Sequence, residues 1–328
     1  MNNTYIRHIL STAILFICFA CNNAPKEAKS QQIAVSKPQI KIPVFDKEMA
    51  YNYVAAQVAF GPRIPESEAH LNCAEYLVNT LKEFTPNVQV QEFKTRLPSK
   101  KVVNGKNIIA SFQPEKKSRV LLCAHWDSRP FADQEEDEAK HNTPIDGAND
   151  GASGVGVLLE IARHLSIQNT GVGIDIIFFD VEDSGLSGTN ESWALGAQYW
   201  SKNPHIPNYT ARYGILLDMV GTNNPTFNFE MTSYTYASHI LKKVWKTAKT
   251  LGYQQYFLEQ ISGGILDDHV YINENRNIPT IDIIHYDNSS STGFFEHWHK
   301  LGDDMSSINK NTLDMVGRTV LKVIYEEK

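Results

Sequence analysis

Apolar residues recur along this chain in two rhythms, and the switches between them mark its elements. From Phe45 the rhythm is helical. Met49, Tyr53, Val54, Ala56 and Val58 fit one helix, which Gly61-Pro62 stops. A second helix follows Pro65-Glu66-Ser67 and carries Leu71, Ala74, Leu77, Val78 and Leu81 at helical spacing. Strands come next: Val88–Phe93 alternates, Asn107–Phe112 is a short apolar stretch, and Arg119–Cys123 is a continuous apolar run. The spacing then predicts a helix over Val155–Leu165, strands over Ile174–Phe179 and Tyr213–Leu217, and a helix over Ala237–Leu251. A strand over Thr280–Ile284 and a closing helix over Asn309–Ile324 complete the series. Strands alternating with helices predict an α/β fold, with a central mixed, mostly parallel sheet covered by helices on both faces. No repeat and no second domain boundary divides residues 45–328.

The first 44 residues follow neither rhythm. Arg7 and His8 precede an apolar run, Ile9–Ala20, shorter than a membrane span requires. The run ends in Phe19-Ala20-Cys21, which resembles a bacterial lipoprotein signal: residues 1–20 would be cleaved and Cys21 lipidated. A plain secretory signal cleaved nearby is the alternative. Residues 21–44, with Pro25, Pro38, Pro43, several lysines and small polar residues, read as a flexible tether to a domain spanning 45–328. The expectation is an exported protein, lipid-anchored to a membrane of the bacterial envelope. No acidic residue follows Cys21 closely, which favours an anchor facing the periplasm.

Composition narrows the classes. The chain has 328 residues, 42% hydrophobic and 21% charged, enough to bury a large core. A formal charge of −6 without a basic cluster excludes nucleic acid as the expected partner. Beyond Cys21 only Cys73 and Cys123 follow the leader, and neither has a CxxC neighbour, so a disulfide framework and a thiolate metal site are both excluded. Cys123 reads as a small core residue. Nothing specifies an oligomer, and a monomer is expected.

Five segments concentrate carboxylates and imidazoles: His125-Trp-Asp127, Asp146-Gly-Ala-Asn-Asp150, Glu182-Asp183, Asp218 and Asp267-Asp268-His269, with Trp298-His299 near the C-terminus. Most lie where an apolar run ends, and in an open α/β sheet strand ends gather at one edge. Carboxylates gathered there repel unless a cation or shared protons neutralise them, and a metal is the simplest reason to gather them. Asp150 is either a ligand or the N-cap of the helix that follows. Glu182 and Asp183 point in different directions, so one can bind metal while the other acts as a base; a polar strand end is the plainer reading. His299 is a ligand or a structural loop histidine. Arg129–Pro144 is predicted as an exposed loop. Five of the six residues Asp133–Glu138 are acidic, suiting a solvated surface or a preference for basic substrates.

Together these segments resemble the zinc-dependent aminopeptidase superfamily and, within it, the animal-type glutaminyl-peptide cyclotransferases. The resemblance runs from about Phe45 to the C-terminus. It includes Phe60-Gly-Pro-Arg63, Leu216-Leu-Asp-Met-Val-Gly221, Asn224-Pro-Thr-Phe227, Gly263-Gly-Ile-Leu-Asp-Asp-His269 and Trp298-His299. It implies one zinc ion (Zn2+) per chain, held by Asp150, Asp183 and His299. Glu182 would be the general acid/base, with Asp218 and Asp267 as a hydrogen-bonded pair behind it. Trp193, Ile265 and Trp298 would wall the pocket. The family usually has Glu where Asp183 stands, so this ligand is shorter by one methylene. The implied reaction converts the N-terminal glutamine of peptides and proteins to pyroglutamate with release of ammonia.

Two other readings stay open. A two-zinc aminopeptidase would recruit His125 and Asp218 to a second metal, bridge both ions with Asp150 and use Glu182 to activate water. A non-catalytic binding protein of the same superfamily would have lost ligands, whereas every carboxylate the chemistry needs is retained here.

Overall fold

A computed structural model describes residues 41–328. The expected leader, Cys21 and the expected tether up to residue 40 lie outside the described residues. Two helices come first. α1 (Lys47–Val58) is capped by Asp46, whose carboxylate accepts from the N–H groups of Glu48 and Met49. α2 (Glu68–Phe84) is capped by Ser67. β1 (Val88–Arg96) and β2 (Val102–Phe112) form a long antiparallel hairpin, followed by β3 (Arg119–His125), α3 (Ala152–Ile167) and β4 (Gly173–Phe179). The chain continues through α4 (Leu195–Lys202), β5 (Gly214–Asp218), β6 (Phe227–Phe229), α5 (Met231–Thr250) and β7 (Phe257–Ile261). It closes with α6 (Asp268–Arg276), β8 (Thr280–Ile284) and α7 (Lys310–Tyr325).

The main sheet has the order β1-β2-β4-β3-β5-β8. β3 runs parallel to both β4 and β5, and β5 is parallel to β8, while β1 and β2 enter antiparallel. The mixed, mostly parallel sheet expected from the sequence is the one found. Alternation along the strands divides the core. Val120, Leu122 and Ala124 of β3 face the larger cluster, built with α1, α2, α3, α5 and α7. Leu121 and Cys123 face the other side, under Ala197 and Trp200 of α4 and Ile272 of α6. Both described cysteines are buried and free, as core residues.

Four elements were not foreseen: α4, β6, β7 and α6. Each is short, and α6 (DHVYINENR) is too polar to show an apolar period. β1 runs on to Arg96 because an exposed edge strand needs no alternating apolar face. Its Glu92, Lys94 and Arg96 also discourage edge-to-edge pairing. α5 starts six residues before Ala237, where a break in the helical backbone (φ −139°) hid its first turns.

This topology makes a functional edge. After β3 the chain crosses by α3 to β4 on one side, then returns to β5 on the other, so the strand order reverses at β3. The crevice at such a reversal, beyond the carboxyl ends of the strands, is where α/β sheets bind ligands. α3 must lie close to the sheet there. A Cβ built on Gly154 would come within 2.2 Å of the Leu217 carbonyl oxygen. Alanine is a better helix former than glycine by about 1 kcal/mol, but overpacking costs about 1–3 kcal/mol. Gly154→Ala is therefore expected to lower the Tm in thermal unfolding despite its helix propensity; an unchanged or raised Tm would refute this close packing.

Candidate active site

The functional groups converge where β3, β4 and β5 end, and two of the turns there are held by carboxylates from elsewhere. Asp127, two residues beyond β3, accepts the backbone N–H of Glu182 at 3.0 Å and of Asp183 at 3.2 Å. Asp303 does the same for the turn before α3, accepting from Asn149 at 2.7 Å and Asp150 at 3.1 Å. Asp150 does not cap α3: the N-cap is Gly151, with no side-chain cap bond. Gly151 sits at φ +93°, and a Cβ there would meet the Asp127 carbonyl oxygen at 2.7 Å and the His125 ring at 2.9 Å. The buried guanidinium of Arg63 ties the same turns together through the carbonyls of Trp126, Asp146 and Gly147.

Three non-glycine residues at positive φ sit beside reactive groups. They are Val181 (φ 58°) before Glu182, Met219 (φ 47°) after Asp218, and His299 itself (φ 55°). A β-branched residue such as Val181 is especially strained in this region. Such strain, of order 1–3 kcal/mol per residue, persists only where surrounding contacts impose it. Here Val181 donates its N–H to Asp180, and its carbonyl accepts from Leu195.

Asp150, Asp183 and His299 are all buried and offer one ligand atom each within 4.8 Å of one another. His299 Nε2 lies 3.3 Å from Asp183 Oδ1 and 3.9 Å from Asp150 Oδ2. Asp183 Oδ2 is buried without a hydrogen-bond partner. Two carboxylates, one imidazole and an orphaned buried oxygen fit a zinc ion with an open fourth position. A second group, His125, Asp150 and Asp218, shares Asp150, because His125 Nε2 lies 3.0 Å from Asp150 Oδ1 and 3.2 Å from Asp218 Oδ1.

Burial and crowding set the charges. Burial pushes the Glu182 carboxyl well above the usual carboxylate range, and Asp267, Asp183 and Asp268 push it further, against the pull of His125. Asp218 is raised to about 7, by burial and then by Asp150. Burial acts downward on the His125 imidazole, but Asp127, Asp150 and Asp218 outweigh it and raise its affinity for a proton. The expected Asp218–Asp267 pair is not hydrogen-bonded: Asp218 accepts from His125, while Asp267 caps α6 by accepting from Asp268 N.

The expectation for Arg129–Pro144 needs correction. Glu136, Asp137 and Glu138 are exposed, but the root of the loop is built into the site. Arg129 is buried and binds Asp133 through two bonds of 2.7 and 2.6 Å. It also donates to the Asp183 carbonyl at 3.0 Å and stacks at 4.8 Å from the Trp193 ring. Asp133 Oδ1 in turn lies 3.2 Å from His299 Nδ1. Fully solvated loops do not spend salt bridges on buried arginine, so this segment clamps the site instead of decorating the surface. Asp133 and Asp303 were missed because their partners, His299 and the Asn149–Asp150 turn, are far away in sequence; Arg129 binds Asp133 four residues on, and its position just after His125-Trp-Asp127 was the one signal.

A cavity of about 350 Å³ opens onto these groups, lined by Asp150, Glu182, Asp183 and His299 on its polar side. Trp193, Ile265 and Trp298 supply the apolar wall. The Trp298 ring stacks on His299 at 3.8 Å between centroids, and Trp193 lies nearly parallel to His299 at 6.0 Å. The site thus joins a candidate metal-ligand triad, a glutamate whose carboxyl is strongly raised, and a small aromatic pocket.

Residues 107–324 match the model of peptidase family M28. Among solved structures, a Zn-dependent exopeptidase from Parabacteroides distasonis is 52% identical, with a TM-score of 0.86 over 88% of this chain and 100% of that one. Glutaminyl cyclase from Bacteroides thetaiotaomicron, solved with N-acetylhistamine, is 49% identical, with a TM-score of 0.86 over 88% of this chain and 100% of that one. Glutaminyl-peptide cyclotransferase of Drosophila melanogaster is 27% identical over 277 residues, 77% of this chain and 73% of that protein. The chain belongs to peptidase family M28, among its bacterial glutaminyl cyclases.

Proposed function

We propose that this protein is a zinc-dependent glutaminyl-peptide cyclotransferase, closing the N-terminal glutamine of peptides into pyroglutamate with release of ammonia. The observation that carries this reading is that the chain spans the whole of the Bacteroides glutaminyl cyclase at 49% identity. The pocket supports it, being small, aromatic-walled and supplied with one strongly perturbed glutamate.

Asp150, Asp183 and His299 would hold one zinc ion, which when bound supplies Lewis acidity to the glutamine γ-carbonyl. The residues of the chain do the rest. Trp193, Ile265 and Trp298 bury the glutaminyl side chain and exclude water, strengthening charge interactions inside the pocket. Glu182, ionised at the start, takes a proton from the α-amine as that nitrogen bonds to the γ-carbonyl carbon. It then returns the proton to the departing amide nitrogen, which leaves as ammonia. No net proton is consumed. Asp218, raised to about 7, and Asp267, raised by burial, would each favour a proton beside Glu182 and so add little negative charge next to it.

A two-zinc aminopeptidase is the second reading, favoured specifically by the His125, Asp150 and Asp218 group and its shared Asp150. Against it, the chain carries Asp267-Asp-His269 and Trp298-His299 together, which resemble the cyclases. The proposal also carries forward export and a lipid anchor at Cys21, with the domain facing the periplasm as a monomer.

The deciding experiment measures ammonia release from a glutamine-initiated peptide, peptide-bond cleavage of a leucine-initiated one, and zinc content of the same sample. Ammonia release without cleavage at about one zinc per chain is expected for a catalytic site with three protein ligands. Cleavage with two zinc ions would replace the cyclase by the aminopeptidase. Glu182→Gln is expected to cut kcat by about 10²–10⁴-fold, the usual contribution of a general acid/base, with zinc content unchanged. Because the folded carboxyl is raised, wild-type activity should fall with decreasing pH well before an ordinary glutamate titrates. That limb should vanish from the residual activity of the variant; near-normal rates would remove Glu182 from the mechanism. Asp133→Asn withdraws the charge that orients His299, and should weaken zinc affinity by about 10–100-fold in competition with a chelator. Unchanged affinity would reduce the Arg129–Asp133 clamp to a purely structural role.

A further inference from the structure

The pocket wall that carries Ile265 is weakly held. Residues 263–266 leave β7 through Gly263 and Gly264, both exposed, and end where Asp267 caps α6. Glycine pairs give a loop many backbone conformations. Gly263 O accepts from Met231 N only at 3.5 Å. Among the described residues, the one short bond that ties a backbone N–H of 263–266 to another element runs from Ile265 N to Glu230 Oε1, at 2.9 Å.

Glu230 is 1% exposed and saturated with donors. Oε1 also accepts from Thr232 N at 2.7 Å. Oε2 accepts from Ser233 N at 2.6 Å and Ser233 Oγ at 2.8 Å, and lies 3.1 Å from His269 Nε2. One carboxylate therefore caps the 20-residue helix α5, pins the middle of the pocket loop and reaches the start of the next helix, α6. Capping alone would need only the two backbone donors of α5. The bonds to Ile265 and His269 cross 35 and 39 residues and have no capping purpose. His269, in the Asp-Asp-His segment, has no part in the proposed proton transfer, and this pairing accounts for it.

We propose that Glu230, paired with His269, is a positioning residue that latches the Gly263–Leu266 loop and so sets affinity for the N-terminal glutaminyl group through Ile265. The inference rests on the cyclase reading for its substrate. The latch controls KM more than kcat, because Asp267, at the far end of the loop, is held separately as the cap of α6. Glutamine at 230 has one acceptor oxygen and an NH2 group in place of the second. One side of the carboxylate would then set donor against donor, and the glycine-hinged loop would yield before the helix.

Two variants separate latch from cap. Glu230→Asp keeps the charge and a favoured N-cap residue but is shorter by one methylene and would not span to Ile265 and His269. Both Glu230→Asp and Glu230→Gln are expected to raise KM for a glutamine-initiated peptide by about tenfold, the loss of one charged hydrogen bond. They should change kcat little and speed amide hydrogen exchange at residues 264–266. Lys246→Gly, at an exposed position inside α5, should lower the Tm without either effect. If Glu230→Asp and Glu230→Gln matched Lys246→Gly, with normal KM and normal loop exchange, Glu230 would be a cap only. Exchange is read without substrate, so it decides the latch even if the wild type released no ammonia. That outcome would overturn the cyclase reading instead.

Discussion

Mutual repulsion among buried carboxylates is the constraint this structure is built around. Asp127, Asp150, Glu182, Asp183, Asp218, Asp267 and Asp268 lie at or beside one edge of the sheet, all buried. Left uncompensated, so many charges in a region of low dielectric would cost far more than the stability of a domain. The fold answers with three kinds of positive partner. Backbone N–H groups face Asp127 and Asp303, imidazoles face Asp150, Asp183, Asp218 and Glu230, and the Arg129 guanidinium faces Asp133 and Asp183. Several oxygens remain unpaired, among them Asp183 Oδ2, Asp267 Oδ2 and both oxygens of Asp268, and of these Asp183 Oδ2 belongs to the proposed zinc-ligand group.

Compensation and strain appear together. Val181 and Met219 adopt left-handed backbone where their N–H groups donate to Asp180 and Asp218, and His299 does so where its ring faces Asp183. The small residues at the same edge, Gly147, Gly151 and Gly154, let the turns approach one another. The cost is borne by the packed sheet and α3 beneath, which is why the reactive groups stand on strand ends and not on free loops. The exceptions are His299 and the Gly263–Leu266 wall, both on long connections. Each has its own carboxylate support, Asp133 for the first and Glu230 for the second.

Much of this was legible in the sequence, and the reasons are specific. Runs such as Ile174–Phe179 and Tyr213–Leu217 announce buried parallel strands because both faces are covered. Carboxylates at the ends of those runs therefore announce a common edge. Asp150, Asp183 and His299 do come within ligand distance of each other, and Trp193, Ile265 and Trp298 line one cavity. The acidic stretch from Asp133 misled because charge runs are usually solvated, and nothing local reveals that its first member meets His299. The polar α6 gave no period, although its cap, Asp267, was among the residues singled out.

The sequence by itself determined the α/β layering, the strand ends and the kinds of chemistry placed on them, since periodicity and residue type are local properties. Only the tertiary structure decided which partner each carboxylate has. Asp303 reaches Asn149 across 154 residues, and Glu230 reaches Ile265 across 35. A hydrogen bond depends on distances of a few ångströms between loops, and no spacing along the chain encodes them. Compensation of charge, and with it the shape of the pocket, is therefore a property of the folded molecule.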